Sequence, residues 1–229
     1  MASENKKTQL LELGKLRRSA RWPGYKCIGD YHDGAYESDF VSPYTKTAGN
    51  INADIMVILQ DWWSDDGMSG PLNEDSAKLG YCRWVVTNQN LKQLLSDHFE
   101  VGLEQVYGTN LFPFIKLGKK NSSIKSSDMT RAAREFALPQ IRIVNPRLVI
   151  SIGIETFNAL RKACELPTCD TTSDAIDSPF EIGSTRVWCQ SHTGQLGRNN
   201  RNKGGVDRVS DDWKKMNRDF KKRGKEGRN

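Results

Sequence analysis

The sequence lacks the features of a membrane or secreted protein. No apolar run approaches the roughly 20 residues that a membrane-spanning helix requires, and the N-terminus has no hydrophobic signal segment. The five cysteines are an odd number, and their spacing shows no small-domain disulfide pattern. We therefore expect a reduced, soluble, cytoplasmic protein that does not contact a membrane.

Internal repeats are also absent, and neither sign of charge dominates. The 229 residues suffice for one core, so we expect a single domain over 1–229, with a loop-rich N-terminal segment 1–52 and a basic C-terminal helix and tail 207–229. The 34 Lys and Arg exceed the 28 Asp and Glu by only 6. This excess suggests polyanion binding, although many basic proteins touch no nucleic acid. The basic residues do cluster, however, at 6–21, 116–125, 198–203 and 214–228.

The stretch 53–67, ADIMVILQDWWSDDG, is the most informative part of the chain. Its apolar run is typical of a buried strand, because it is short and rich in β-branched residues. The run stops at Asp61, and ligands of open α/β sheets bind at the carboxyl ends of strands. The alternative is that Asp61 is a turn residue and that Trp62 and Trp63 belong to the core.

Further segments alternate between strand and helix patterns. Strands are predicted in 106–116, in 143–160 before a turn at Gly153, and in 186–199, the last reached through a hairpin at 180–188. Helices are predicted at 8–19, at 87–99, at 129–143 with Asp128 as its cap and Pro139 disturbing it, and at 207–222, whereas 22–52 is irregular and 164–178 is an acidic surface loop. This alternation predicts a three-layer α/β/α sandwich with a short, mainly parallel four-stranded sheet.

Four motifs, taken in order, resemble the uracil-DNA glycosylase superfamily. Residues 59–63, LQDWW, are similar to the family's Gly-Gln-Asp-Pro-Tyr motif, and 109–110 to its strand-end Asn. Residues 149–160 are similar to its strand-Gly-helix unit, and 192–196, HTGQL, stand where the family has His-Pro-Ser and an inserting Leu. The resemblance covers about 51–203. It implies a DNA glycosylase that acts on a base flipped out of the helix.

The resemblance implies that Asp61 and His192 are catalytic. Cleavage of an N-glycosidic bond builds positive charge on the sugar, which a fixed carboxylate stabilises while it orients the attacking water. The base departs as an anion, which a positioned imidazole stabilises. Alternatively His192 is structural, or binds a metal together with Cys189. Because no second ligand pair has zinc-like spacing, we expect no metal.

The base itself is expected to contact an amide and flat rings. The Asn110 amide both donates and accepts, so it suits two adjacent edge atoms of a pyrimidine, although an Asn here can instead hold backbone. A flipped base also needs a stacking partner. The predicted substrate-binding residues are Gln60, Trp62, Trp63, Tyr81, Trp84, Asn110 and Phe112. Trp63 stands at the family's Tyr, and Tyr81 or Trp84 near its stacking Phe; the alternative is that these aromatics are core.

The loop after the last predicted strand joins an apolar side chain to cations. Leu196 suits a wedge that enters the duplex as the base leaves, and the flanking charges suit phosphates. The predicted DNA-binding residues are Lys119, Lys120, Ser191, Gly194, Leu196, Arg198, Asn199, Arg201 and Lys203. The alternative is an ordinary glycine-rich basic loop. The basic face of helix 8–19 is either solvated or a further DNA contact.

The departures from the family pattern bear on the substrate. The family's Tyr crowds out a C5 substituent on the base, and here Trp62-Trp63 replaces Pro-Tyr. The resemblance with these departures therefore implies uracil or a C5-modified cytosine as the expected substrate, such as the glucosylated hydroxymethylcytosine of phage DNA; some bacterial defence enzymes that resemble this superfamily act on such bases. Iron-sulfur members carry four cysteines, but only Cys27 precedes the first long strand and Ala137 stands near a later position, so we expect no cluster and no cofactor.

Three functional hypotheses remain. The first is a monomeric, monofunctional DNA glycosylase that leaves an abasic site. The second is a catalytically silent DNA-binding protein on the same fold. The third is an enzyme with a different small substrate, such as a nucleoside hydrolase, against which the basic loops argue.

Overall fold

The structure, a computed structural model, describes residues 2–226 and is built on a five-stranded sheet. The strands are β1 (Tyr25–Lys26), β2 (Ile55–Asp61), β3 (Tyr107–Phe112), β4 (Ile115–Lys116), β5 (Leu148–Ile152), β6 (Phe180–Ile182) and β7 (Thr185–Gln190). Strands β3, β2, β5 and β7 pair in that order in parallel, and β6 lies antiparallel at the β7 edge. The predicted fold is confirmed; the fifth strand is the first half of the predicted hairpin.

Helices connect the strands and cover the sheet. They are α1 (Ala2–Ser19), α2 (Asp65–Met68), α3 (Glu74–Leu79), α4 (Val86–Phe99), α5 (Ser126–Ala132), α6 (Leu138–Val144), α7 (Ile154–Ala163), α8 (Thr172–Asp177), α9 (Gln195–Arg201) and α10 (Arg208–Glu226). A π-helical turn, Ala133–Ala137, joins α5 to α6. Short 3-10 turns, including Pro43–Lys46, fill the segment predicted to be irregular. No helix within residues 2–226 combines the length and apolar character that crossing a membrane requires.

The sheet is buried on both faces, which explains the continuous apolar run of β2. Side chains alternate along a strand, so Met56 and Ile58 pack with α5, α6 and α7, whereas Ile55, Val57 and Leu59 pack with α4 and α10. The result is three layers, helix, sheet and helix.

The order in which strands are added to the sheet reverses at β2. The connection from β2 to β3 passes through α4 on one face, and the connection from β3 to β5 passes through α5 and α6 on the other. Strands β3 and β5 consequently flank β2 on opposite sides. A crevice forms at such a switch point, at the carboxyl end of β2, where Asp61 lies.

A small two-stranded ribbon stands beside this crevice. In the stretch 106–116 the sequence predicts a strand that ends at Asn110; β3 instead continues to Phe112, and the last two residues of the stretch form β4, which pairs antiparallel with β1. Ser64, just after β2, bridges to Lys116 in parallel. The ribbon therefore brings Lys116 back to the end of β2.

Some local predictions were wrong. Asp128 is not the helix cap: Lys125 holds that position, and the Asp128 carboxylate accepts a hydrogen bond from the Tyr25 hydroxyl at 2.7 Å. The segment 164–178 is not all loop, because it contains α8, whose Ala175 and Ile176 are buried. Pro139 does disturb its helix, since it lies in the first turn of α6, directly after the π-helical turn.

Both terminal helices are longer than predicted. Helix α1 begins at Ala2 instead of Thr8, and α10 runs past residue 222 to Glu226. The end of the predicted basic tail, 227–229, lies outside the described residues. Gly14, which weakens the helix pattern, is needed for packing: a Cβ there would collide with the carbonyl group of Asp39.

Candidate functional site

A cleft of about 880 Å³ opens at the carboxyl ends of β2, β3 and β7. It is lined by Tyr44, Leu59, Gln60, Asp61, Trp62, Trp63, Tyr81, Cys82, Val85, Thr87, Asn88, Asn110, Lys116, Lys119, Lys120, Asn121, Ser122, Ser123, His192 and Leu196. The predicted catalytic pair and the predicted base-reading amide thus lie in one cavity, although they are far apart in sequence.

Asp61 forms an ion pair that the sequence analysis missed. Its Oδ2 lies 3.0 Å from Nζ of Lys116, and the two side chains are only 15% and 7% exposed. Strand β2 fixes the carboxylate and the β1–β4 ribbon fixes the ammonium, so the pair joins two separately built walls of the cleft. Because both side chains are largely buried, salt screens the attraction between the two charges only weakly.

Asn110 is buried at the floor of the cleft and is held by a hydroxyl. The Ser42 hydroxyl donates to its Oδ1 at 2.6 Å, while the backbone N–H of Tyr44 donates to the Ser42 hydroxyl at 3.1 Å. Ser42 and Asn110 are both almost fully buried. The amide is therefore oriented by the protein before any ligand arrives.

His192 follows β7 and turns one ring nitrogen to its own loop. The backbone N–H of Gly194 donates to Nδ1 at 3.0 Å, so the neutral ring carries its hydrogen on Nε2. Desolvation by the cleft walls lowers the pKa of His192, and nearby Lys120 lowers it further, while the attraction of Asp61 opposes both. The ring is therefore neutral at physiological pH and offers one N–H donor.

Two tyrosines line the cleft side by side. The rings of Tyr44 and Tyr81 lie 5.4 Å apart at an angle of 32°, and both line the cleft. The Tyr44 hydroxyl donates to Oδ1 of Asn88 at 3.1 Å, and Asn88 donates to the carbonyl of Cys82. Of Tyr81 and Trp84, the two residues predicted near the family's stacking Phe, Tyr81 is the one that lines the cleft.

The two tryptophans after Asp61 line the same cleft in different ways. Nε1 of Trp62 donates to the carbonyl of Gly80 at 2.7 Å, and its ring packs edge-on against Tyr36 at 5.3 Å, so Trp62 is tied to the protein. Trp63 packs edge-on against Trp62 at 5.7 Å and lies over Gly67, where a Cβ would collide with the indole. Gly67 is therefore needed for the position of Trp63.

Two predicted substrate-binding residues do not reach the cleft. Phe112 is fully buried, with its ring 4.7 Å from Tyr25 and 5.9 Å from Trp22. Trp84 is 71% exposed and has its ring over the guanidinium of Arg83. The core alternative holds for Phe112, whereas Trp84 lies on the outer surface.

Several predicted DNA contacts are accessible. Leu196 is 79% exposed at the start of α9 and lines the cleft. Lys119 and Lys120 are exposed on the loop between β4 and α5, and also line it. Lys203 and Asn199 are exposed on or beside α9, and Arg198 donates to Oδ1 of Asn90 at 2.8 Å. Of these residues, Leu196, Lys119 and Lys120 line the cleft.

Three other predicted contacts are buried or already engaged by the protein. Arg201 is engaged by both carboxylate oxygens of Asp212, at 2.6 and 2.8 Å, and by the hydroxyl of Ser173. Ser191 is buried, and its hydroxyl has no hydrogen-bond partner within residues 2–226. The N–H of Gly194 is taken by His192, which leaves it unavailable to a phosphate.

The residues missed in the sequence share one property, since tertiary contacts alone bring them to the site. In the sequence, Lys116 only begins a cluster of basic residues, and Ser42 and Tyr44 lie in a segment predicted to be irregular. One signal was available: Lys116 ends an apolar pair of residues, Phe114 and Ile115, and a lysine that follows a buried run often has a partner.

Comparison of the chain with models of protein families found no matching family, and comparison with curated proteins found no match.

Proposed function

We propose that this protein is a DNA glycosylase. It hydrolyses the N-glycosidic bond of a flipped-out pyrimidine, either uracil or a C5-modified cytosine such as the glucosylated hydroxymethylcytosine of phage DNA, and leaves an abasic site. It acts as a cytoplasmic monomer, in base excision or in defence against phage.

One observation carries this proposal: Asp61 of β2, Asn110 of β3 and His192, two residues after β7, line a single cleft. A glycosylase needs a carboxylate for the sugar, a donor for the leaving base and a group that reads the base edge. Three such groups at the carboxyl ends of parallel strands match that requirement.

The chemistry follows from these groups. As the bond between C1′ and the base nitrogen breaks, its electron pair leaves with the base, and the Asp61 carboxylate stabilises the positive charge on the sugar. Nε2–H of His192 donates to an oxygen of the base and stabilises its negative charge. Water then bonds to C1′, and its released proton neutralises the base anion.

The size and lining of the cleft favour a substituted base. Its volume of about 880 Å³ lies near the top of the range of about 300–1,000 Å³ that holds drug-sized ligands. Residues 119–123 add ammonium, amide and hydroxyl groups to the lining, and a hydrogen bond from Asp66 to Gly118 holds this loop next to the Trp63 segment. Polar groups beside an indole suit a polar C5 substituent.

The rim of the cleft suits a duplex. Leu196 is an exposed apolar side chain of the kind that replaces an extruded base in the stack. Lys119 and Lys120 supply positive charge for phosphates next to the target nucleotide.

The Asp61–Lys116 pair favours a second candidate, a DNA-binding protein without catalysis. An ammonium 3.0 Å from the carboxylate neutralises much of the charge that would stabilise the sugar cation. The neutral Nε2–H of His192 favours the glycosylase, because a protein that only binds does not need this donor in its cleft.

The test is base release from defined oligonucleotides. Duplexes with one uracil, cytosine, hydroxymethylcytosine or glucosylated hydroxymethylcytosine are incubated with protein and then heated in alkali, which breaks the strand at abasic sites. We expect breaks in at least one duplex, lost in Asp61→Asn and retained in Asp66→Asn, whose exposed carboxylate is five residues further on. No breaks with any duplex, together with binding to all, would favour the second candidate.

A further inference from the structure

Ser42 lies next to the base-reading amide but belongs to another part of the chain. It precedes the turn Pro43–Lys46, which packs against β3 so closely that a Cβ at Gly108 would come 2.8 Å from the Tyr44 ring. The Ser42 hydroxyl thereby meets Asn110 across 68 residues of sequence. The contact is short, at 2.6 Å, and almost fully buried.

The hydrogen bonds of Ser42 fix which way the Asn110 amide faces. The Ser42 oxygen already accepts from the N–H of Tyr44, and its single hydrogen needs an acceptor because the group is buried. Oδ1 of Asn110 is that acceptor. If the amide were reversed, its NH₂ would donate to Ser42 and the serine hydrogen would have no partner. Nδ2 of Asn110 therefore faces away from Ser42 and donates to no protein acceptor within residues 2–226.

We infer that Ser42 is the residue that sets base selectivity: by holding Oδ1 of Asn110, it makes the amide present N–H to an acceptor atom of the flipped pyrimidine. This inference rests on the proposed glycosylase function. Uracil and cytosine differ at this edge, because uracil has the O4 acceptor and the N3–H donor, whereas cytosine has the N4 donor and the N3 acceptor. An amide of fixed direction distinguishes the two edges, and an amide free to rotate accepts both. Ser42 acts through Asn110 and is a positioning residue.

The experiment compares selectivity in Ser42→Ala with that in a matched control. The measured quantity is the ratio of kcat/KM for the preferred base to kcat/KM for the base of opposite edge pattern, with the same C5 group on both where synthesis permits. In Ser42→Ala we expect this ratio to fall about threefold to tenfold, the range that corresponds to one hydrogen bond. The control is Ser38→Ala, which removes a hydroxyl that bonds to Thr45 in the same segment and does not contact Asn110.

The control separates orientation from general loosening of the turn. A ratio unchanged in Ser42→Ala, or reduced equally in Ser38→Ala, would overturn the inference. Rescue of the ratio by Ser42→Thr, which restores a hydroxyl, would support it.

Neutron diffraction from crystals of the perdeuterated wild-type protein gives an answer that requires neither activity nor a folded variant. We expect the Ser42 deuteron to point at Oδ1 of Asn110, with both amide deuterons on the side away from Ser42. Amide deuterons directed at Ser42 would overturn the inference. A protein that releases no base from any duplex but shows the expected deuterons would refute the glycosylase proposal and support the orientation of Asn110.

Discussion

Replacing Lys116 by methionine tests the buried ion pair that joins the two walls of the cleft. At a separation of 3.0 Å and an effective dielectric constant of about 20, the attraction between the two charges is about 5 kcal/mol. Breaking a fully buried pair costs about 3–5 kcal/mol, because the remaining charge loses its partner. Asp61 is 15% exposed to the cleft, so water replaces part of the interaction. We therefore expect Lys116→Met to lower the free energy of unfolding by about 2–3 kcal/mol.

Urea unfolding followed by circular dichroism measures this loss. With an m value of about 3 kcal/mol/M, the midpoint should fall by about 1 M. The control is Lys26→Met, which removes an ammonium 2.9 Å from Asp65; because Lys26 is 46% exposed, we expect a loss of only about 0–1 kcal/mol.

A double-mutant cycle isolates the pair from the packing of the lysine chain. Asp61→Asn alone leaves the ammonium unpaired, whereas the double variant leaves no charge. We therefore expect the double variant to lose about 2–3 kcal/mol less unfolding free energy than the sum of the losses in the two single variants. Losses that add within about 0.5 kcal/mol would refute the reasoning, because they would mean that the two charges do not interact.

Two further predictions concern His192 and Leu196, which lie on the segment after β7. Acid should destabilise the wild type slightly more than His192→Gln. Desolvation lowers the pKa of His192 in the folded protein, so the unfolded chain binds the proton more tightly, but the side chain is exposed and the difference is small. This contribution to stability is fully present above the unfolded-state pKa of about 6.5 and is lost as the pH falls below it, towards the lower folded-state pKa. Equal losses of unfolding free energy between pH 7.5 and 5 would contradict this. Leu196→Ala should change the free energy of unfolding by no more than about 0.5 kcal/mol, since Leu196 is 79% exposed. It should slow base release from duplex DNA about tenfold and leave release from single strands nearly unchanged. Leu72→Ala is the control at another exposed leucine, and equal slowing on both substrates would argue against a wedge.

The sequence predicts the parts of the fold that depend on local pattern. The apolar run of β2 and the alternation of strands with helices are enough to indicate a parallel sheet, and hence that Asp61, Asn110 and His192 gather at one edge. The patterns do not show where the chain turns back after Phe112, and the position of Lys116 depends on that turn.

The sequence also does not predict which side chains point into the cleft and which point into the core. Phe112 and Asn110 are two residues apart on β3 and both are buried, yet only Asn110 lines the cleft, while Phe112 packs among the rings of the core. Arg201 belongs to a basic segment of the sequence, but in the folded protein it forms an ion pair with Asp212. Both outcomes depend on partners distant in the chain, which spacing rules do not identify.

The order of the strands has a consequence for how the protein is made. Strand β7 lies between β5 and β6, and the buried residues of α10 (Val209, Trp213 and Met216) cover the face shared by Ile55 and Val57 of β2. A ribosome has synthesised Asp61 and Asn110 long before it adds any of these elements. The growing polypeptide consequently carries the carboxylate and the amide without the imidazole, and α4, without α10, covers the face of the sheet that the two helices later share. The cleft is complete only when the last third of the chain has emerged and docked.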